Sequence, residues 1–196
     1  MVRKLKDFSE AEMEFMVKIA REAIEDGIMH TKKETPPRCP ERLLENGACF
    51  VSLHMKDNLR GCIGSLEAHE PLIKNIIRNA QNAAFSDPRF IPLQKDEMED
   101  VDIEISVLTK PEKLDYFDGK DLVRKLKAPE HGVILSKGRR SATFLPVVWE
   151  HFKEGKNYDK IGFLTELCMK AGLNPDDWEK GCDIEIYRAI LVKEND

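Results

Sequence analysis

The tetrapeptide Asp102-Ile103-Glu104-Ile105 returns 81 positions later as Asp183-Ile184-Glu185-Ile186, and both copies carry the alternation of a half-buried strand. Around the first copy, Val101, Ile103, Ile105 and Val107 fall on one face and Asp102, Glu104 and Ser106 on the other, because successive strand side chains point to opposite sides. The same offset separates two turn sequences, Lys56-Asp57-Asn58 and Lys137-Gly138-Arg139. The first closes a hairpin over residues 48–66, and the second joins strands near 131–135 and 142–145. After the first hairpin, Pro71 suits a helical first turn. Leu72, Ile73, Ile76, Ile77, Ala80 and Ala84 then give that helix one apolar face before Asp87-Pro88 stops it. The counterpart helix spans about 159–171 and ends at Gly172. A shared offset in a shared β-β-α-β order predicts an internal duplication. Hairpins followed by a helix and a returning strand place the chain in the α+β class. It reads as two β-β-α-β-like units of antiparallel or mixed sheets with helices packed on them. Within one domain of 1–196, the units fall at roughly 1–115 and 116–196.

Ahead of the duplication, Ser9 and Glu12 form a capping box, with Phe8 and Met13 placed as a hydrophobic staple. Met13, Met16, Val17, Ala20, Ala23 and Ile24 continue at helical spacing, and Gly27 is the expected stop. Pro36, Pro37 and Pro40 mark the stretch 30–45 as an irregular connection. The polar start Met1-Val2-Arg3-Lys4-Leu5-Lys6 lacks the core of a signal peptide, and no apolar run approaches the roughly 20 residues that cross a bilayer. The expectation is a cytoplasmic protein without membrane segments. Five cysteines without CxxC, and five histidines at no zinc-site spacing, point to reduced thiols and no metal centre. A net charge of −5 argues against general nucleic-acid binding. Lys137-Gly138-Arg139-Arg140 is the one basic cluster, and it reads more simply as a solvated hairpin turn than as an RNA contact.

The stretch Leu59-Arg60-Gly61-Cys62-Ile63-Gly64 sets a thiol between two glycines. In a regular strand Arg60 and Cys62 share a face at about 6.6 Å, where the guanidinium favours a thiolate. Gly61 and Gly64 remove bulk and let a ligand, or another backbone, approach. A buried structural cysteine is the competing reading, and no adjacent histidine activates the thiol. Arg60 suits a carboxylate or phosphate, or else an internal ion pair. Glu104 serves as its partner, as a general base, or as a solvated residue on a polar face. In Asp87-Pro88-Arg89-Phe90, Asp87 fixes a turn and Arg89 reaches across it, towards a ligand or a neighbouring segment. His131 is a candidate acid or base, although His54, His69 and His151 are no worse by composition. Trp149 reads as core or as the wall of a pocket.

The Leu59–Gly64 hexapeptide resembles the signature of the AMMECR1 family. Ala83-Ala84-Phe85-Ser86-Asp87-Pro88-Arg89-Phe90, Glu104-Ile105-Ser106-Val107-Leu108, His131-Gly132 and Leu145-Pro146 follow in the family's order. The resemblance implies an α+β protein whose two halves gather Arg60, Cys62, Asp87, Arg89, Glu104 and His131 around a cleft. It also implies a pathway shared with Memo-like and radical-SAM proteins, to which any metal or radical cofactor would belong, and leaves this chain's own cofactor unknown. Many relatives carry Glu or Gln after the leucine-proline pair, where this chain has Val147.

Two functions compete on these residues. In the first, a small cytosolic enzyme uses Cys62 as nucleophile, Glu104 or His131 to move protons, and Arg60, Gly61, Gly64, Asp87 and Arg89 to hold a small anionic substrate. In the second, a non-enzymatic module recognises a protein partner or small ligand through the same strand.

Overall fold

A computed structural model describes residues 8–29, 31, 38–56 and 58–194. The expected continuation of Met1–Lys6 into a helix, the Pro36-Pro37 pair and Asp57 of the first turn lie outside the described residues. The chain divides into two compact units, 1–108 with 190–196, and 109–189. Residues 190–194, expected in the second unit, are carried by the first.

In the first unit, helix α1 (Glu10–Met29) begins at the predicted capping box, with Ser9 N–H donating to Glu12 Oε2 at 2.8 Å and Glu12 N–H to Ser9 Oγ at 3.3 Å. Gly27 does not end it, because α1 runs on to Met29. A Cβ at Gly27 would sit 2.3 Å from the Phe85 ring, so this glycine serves packing against a residue distant in sequence. Strands β1 (Ala48–Met55) and β2 (Asn58–Gly64) form the first hairpin, followed by α2 (Leu72–Phe85) and β3 (Val101–Leu108). Strand β1 pairs antiparallel with both β2 and β3. Cys49, Val51 and Leu53 of β1 and Ile103, Ile105 and Val107 of β3 are buried in one core with Ile24 of α1 and Ile73, Ile76 and Ala80 of α2. That core lies on a single sheet face, as period-two alternation requires.

The second unit opens with β4 (Glu112–Lys113) and α3 (Gly119–Lys125), then the hairpin β5 (Gly132–Lys137) and β6 (Arg140–Phe144). A two-stranded ribbon of β7 (Lys153–Glu154) and β8 (Asn157–Tyr158) precedes α4 (Lys160–Lys170) and β9 (Asp183–Tyr187). Gly172, at φ +71°, ends α4 as predicted, with its N–H bonded to Met169 O at 2.9 Å. Trp149 is core and lines no open site: it stacks on Phe163 at 3.6 Å between ring centroids and donates Nε1–H to His131 O at 2.7 Å.

With β10 (Ala189–Lys193), the two four-stranded sheets run β10-β3-β1-β2 and β4-β9-β5-β6. Each has a hairpin whose first strand pairs with the strand that follows the helix, plus one added strand beside that third strand. This is the duplicated α+β architecture predicted from the echo. Among the described residues, no helix is long and apolar enough to cross a membrane.

Candidate functional site

Strand β1 lies between β2 and β3, and its Ser52 faces Cys62 on one side and Glu104 on the other. The three form a row on the sheet face opposite the core of Cys49, Val51 and Leu53. Ser52 Oγ–H donates to Cys62 Sγ at 3.2 Å, and Cys62 is only partly buried. Glu104 lies 3.9 Å from Lys193 Nζ, with its side chain 21% exposed. Two strand spacings put the Cys62 and Glu104 backbones roughly 10 Å apart.

Arg60 is not where regular alternation predicts it. Leu53 pairs with Gly61 and His54 with Leu59, so the register skips Arg60 at a β-bulge. Its guanidinium forks onto Glu97, at 2.8 Å from Nε and 2.9 Å from Nη2, and Nη1 donates to Ile91 O at 3.0 Å. The internal ion pair, not the thiol, takes this charge. With the Arg60 side chain only 12% exposed, little of it is left for a ligand. The pairing holds the Glu97 carboxyl below its ordinary range.

Asp87 and Arg89 act on the backbone of Cys62. Asp87 Oδ2 accepts the Cys62 N–H at 2.9 Å, and Arg89 Nη2 donates to Cys62 O at 3.2 Å. The two side chains also pair, Nε to Oδ1 at 2.9 Å and Nη2 to Oδ2 at 2.6 Å. Strand β2 is the outer strand of its sheet, so this pair satisfies peptide groups that would otherwise lie open at the edge. The Arg89 guanidinium holds the Asp87 carboxyl well below the usual carboxylate range.

The two glycines answer to packing. A Cβ at Gly61 would lie 2.2 Å from the backbone oxygen of Ala83 in α2, and one at Gly64 would lie 2.3 Å from the Phe50 ring. His131 belongs to the second unit, outside this row. It is buried, its Nδ1 accepts the Lys127 N–H at 3.3 Å, and burial lowers its pKa. Cys62, Asp87 and Arg89 are thus in contact, Glu104 shares the Cys62 face, and Arg60 is held by Glu97.

Sequence reasoning missed Ser52, Glu97 and the placement of His54. The signal for the first and last was the spacing Phe50, Ser52, His54, which alternates with the core residues of β1. Among the described residues, Nε2 of His54 is buried without a hydrogen-bond partner. Such an atom costs about 1–3 kcal/mol. Burial pushes the Cys49 thiol up to about 12 and that of Cys168 to about 11, and also raises those of Cys39 and Cys182. Among the described residues, no cluster of three or more His, Cys, Asp or Glu could hold a metal ion.

The family model for AMMECR1 matches residues 17–192. The chain belongs to the AMMECR1 family. It is 41% identical to Protein MK0488 of Methanopyrus kandleri over 191 residues, covering 94% of this chain and 89% of that one. A Methanosarcina acetivorans protein is 35% identical over 192 residues, covering 96% and 94%. The crystal structure of the uncharacterized protein PH0010 from Pyrococcus horikoshii superposes with a TM-score of 0.85 at 34% identity, covering 96% of this chain and 94% of that one. These AMMECR1-family relatives carry only generic names, and no activity is established by them.

Proposed function

We propose that this AMMECR1-family chain is a cytoplasmic enzyme whose nucleophile is Cys62, acting on a small anionic substrate. The observation that carries the reading is the Ser52 hydroxyl donating to the sulfur of Cys62, a partly buried residue on a polar sheet face. A donor aimed at sulfur complements negative charge there and orients the side chain. Asp87 and Arg89 fix the Cys62 peptide on both sides. Glu104, in the same row, is the proton acceptor reached through substrate or water. Anion recognition falls to Arg89, because its side chain is 54% exposed whereas that of Arg60 is 12% exposed. A pathway shared with Memo-like and radical-SAM proteins belongs to the same proposal.

The test is native-state alkylation by iodoacetamide, followed by peptide mapping. Cys62 should react at least about tenfold faster than Cys39, the other partly buried thiol, and Ser52→Ala should slow it. Equal rates at the two thiols remove the nucleophile.

A second reading, a binding module, is favoured by the surface around Phe90. Leu59 is 40% and Ile91 72% exposed, and the Arg60 and Arg89 guanidiniums lie 6.0 and 5.4 Å from the Phe90 ring centre. On this reading Cys62→Ser leaves partner affinity unchanged while Ile91→Asp abolishes it. The opposite pattern excludes the module.

A further inference from the structure

Cys168 and Cys182 reach one spot from two elements of the second unit. Cys168 is fully buried in the last turn of α4, and Cys182 stands just ahead of β9 with 7% of its surface exposed. Between them the chain bends at Gly172 and Gly181, both at positive φ, around a short turn at Asp177–Lys180. Cys182 Sγ–H donates to Asp177 O at 3.2 Å, and the Cys168 thiol bonds the next peptide, that of Trp178. The two thiols are also in hydrogen-bond contact with each other. Tyr116 fixes the Cys182 backbone, its hydroxyl accepting the Cys182 N–H at 3.0 Å and donating to the Cys182 O at 2.6 Å.

Both thiols are free, and both belong to the core formed with Leu167, Trp178 and Ile184. One buried thiol fills a core as a small hydrophobe does. Two that meet across the connection 169–181 are a different arrangement, because the fold holds the reactants of a disulfide at high effective concentration. We infer that Cys168 and Cys182 close to a disulfide, tying α4 to the start of β9, when the chain meets a small disulfide such as oxidised glutathione. The inference is independent of the reading of Cys62. In the first exchange Cys182, the more exposed, gives its proton to water and its sulfur attacks one glutathione sulfur. The glutathione S–S bond breaks, and one thiolate leaves with the bonding pair and takes up a proton. The Cys168 sulfur, its proton also lost to water, then attacks the Cys182 sulfur and expels the second glutathione in the same way. The chain loses two electrons and two protons, and one glutathione disulfide becomes two thiols. Burial raises the pKa of both cysteines, and the Lys137 ammonium offsets only part of this, so little thiolate exists to start the exchange. The same sulfurs are poor leaving groups, so the closed bridge resists reduction. The pair is a slow and persistent lock.

The test refolds the reduced full chain in a glutathione redox buffer to equilibrium, traps free thiols with iodoacetamide, and maps the disulfides by peptide mass spectrometry. The 168–182 pair should be at least about tenfold more abundant than any other pair among the five cysteines. Other pairs in comparable amounts, or Cys168 and Cys182 recovered only free or as glutathione adducts, overturn the inference. The oxidised chain should melt about 5–10 °C above the reduced one. That gain should vanish in C168S and in C182S and persist in C62S. An unchanged melting temperature on oxidation, or a gain that survives C168S, overturns the lock. Neither readout uses the reactivity of Cys62, so this inference and the nucleophile reading fail separately.

Discussion

The two units use one strand plan for different ends. In the first, the row across the sheet is Cys62, Ser52 and Glu104; in the second, the matching row is Thr143, Ile134 and Glu185. Cys62 and Thr143, like Glu104 and Glu185, are 81 positions apart, whereas Ser52 and Ile134 are 82 apart. Thr143 spends its hydroxyl inside the unit, at 2.9 Å from Val133 O and 2.8 Å from the Tyr187 hydroxyl, and Ile134 offers the row no hydroxyl at all. The outer strand is also closed differently. Asp87 and Arg89 hold both peptide groups of Cys62, while Lys170 Nζ donates to Thr143 O at 2.9 Å. The same scaffold thus exists with and without the candidate chemistry, so the scaffold does not itself confer it.

The largest effect should come from the aromatic core that distinguishes the second unit. Phe163→Ala removes the stack on Trp149 and edge contacts with Phe144 and Phe152, and calorimetry should show a loss of about 3–5 kcal/mol. Hydrogen exchange should report that loss first within 109–189. Next is Gly61→Ala, whose added methyl meets the backbone of Ala83 and should destabilise by about 1–3 kcal/mol in chemical denaturation.

Asp87→Asn should follow, at about 1–3 kcal/mol, with the deficit confined to pH values at which the wild-type carboxylate is ionised. Its folded pKa is depressed, so the stabilisation is complete above the unfolded value of about 4 and is lost as pH falls through the lower folded value. Acid denaturation curves of wild type and D87N should therefore converge only at strongly acid pH. Smallest is Lys170→Ala, which opens the corresponding edge of the second unit from an exposed position and should stay under about 1 kcal/mol in the same denaturation assay.

Much of the fold was legible because alternation, turn spacing and the Ser9–Glu12 box are local signals. The echo at 102 and 183 located the third strand of each sheet. What local pattern could not show were contacts distant in sequence. Gly27 read as a stop because Phe85, the ring it admits, lies in another helix. Arg60 read as a neighbour of the thiol because a bulge is invisible in alternation, and Glu97, which captures its guanidinium, is 37 residues away. The peptide clamp of Asp87 and Arg89 was legible only as a turn, since its target is β2. Strand β10 escaped altogether because residues 189–193 depart from the echo and return to the first sheet.

The most direct measurement is competitive alkylation within one molecule, the T143C variant, with rates mapped at positions 62 and 143. Position 62 should react at least about tenfold faster, because only its row supplies the Ser52 hydroxyl. Equal rates at the two positions would mean that any thiol on this strand behaves alike, and would contradict the assignment of Cys62 as the reactive centre.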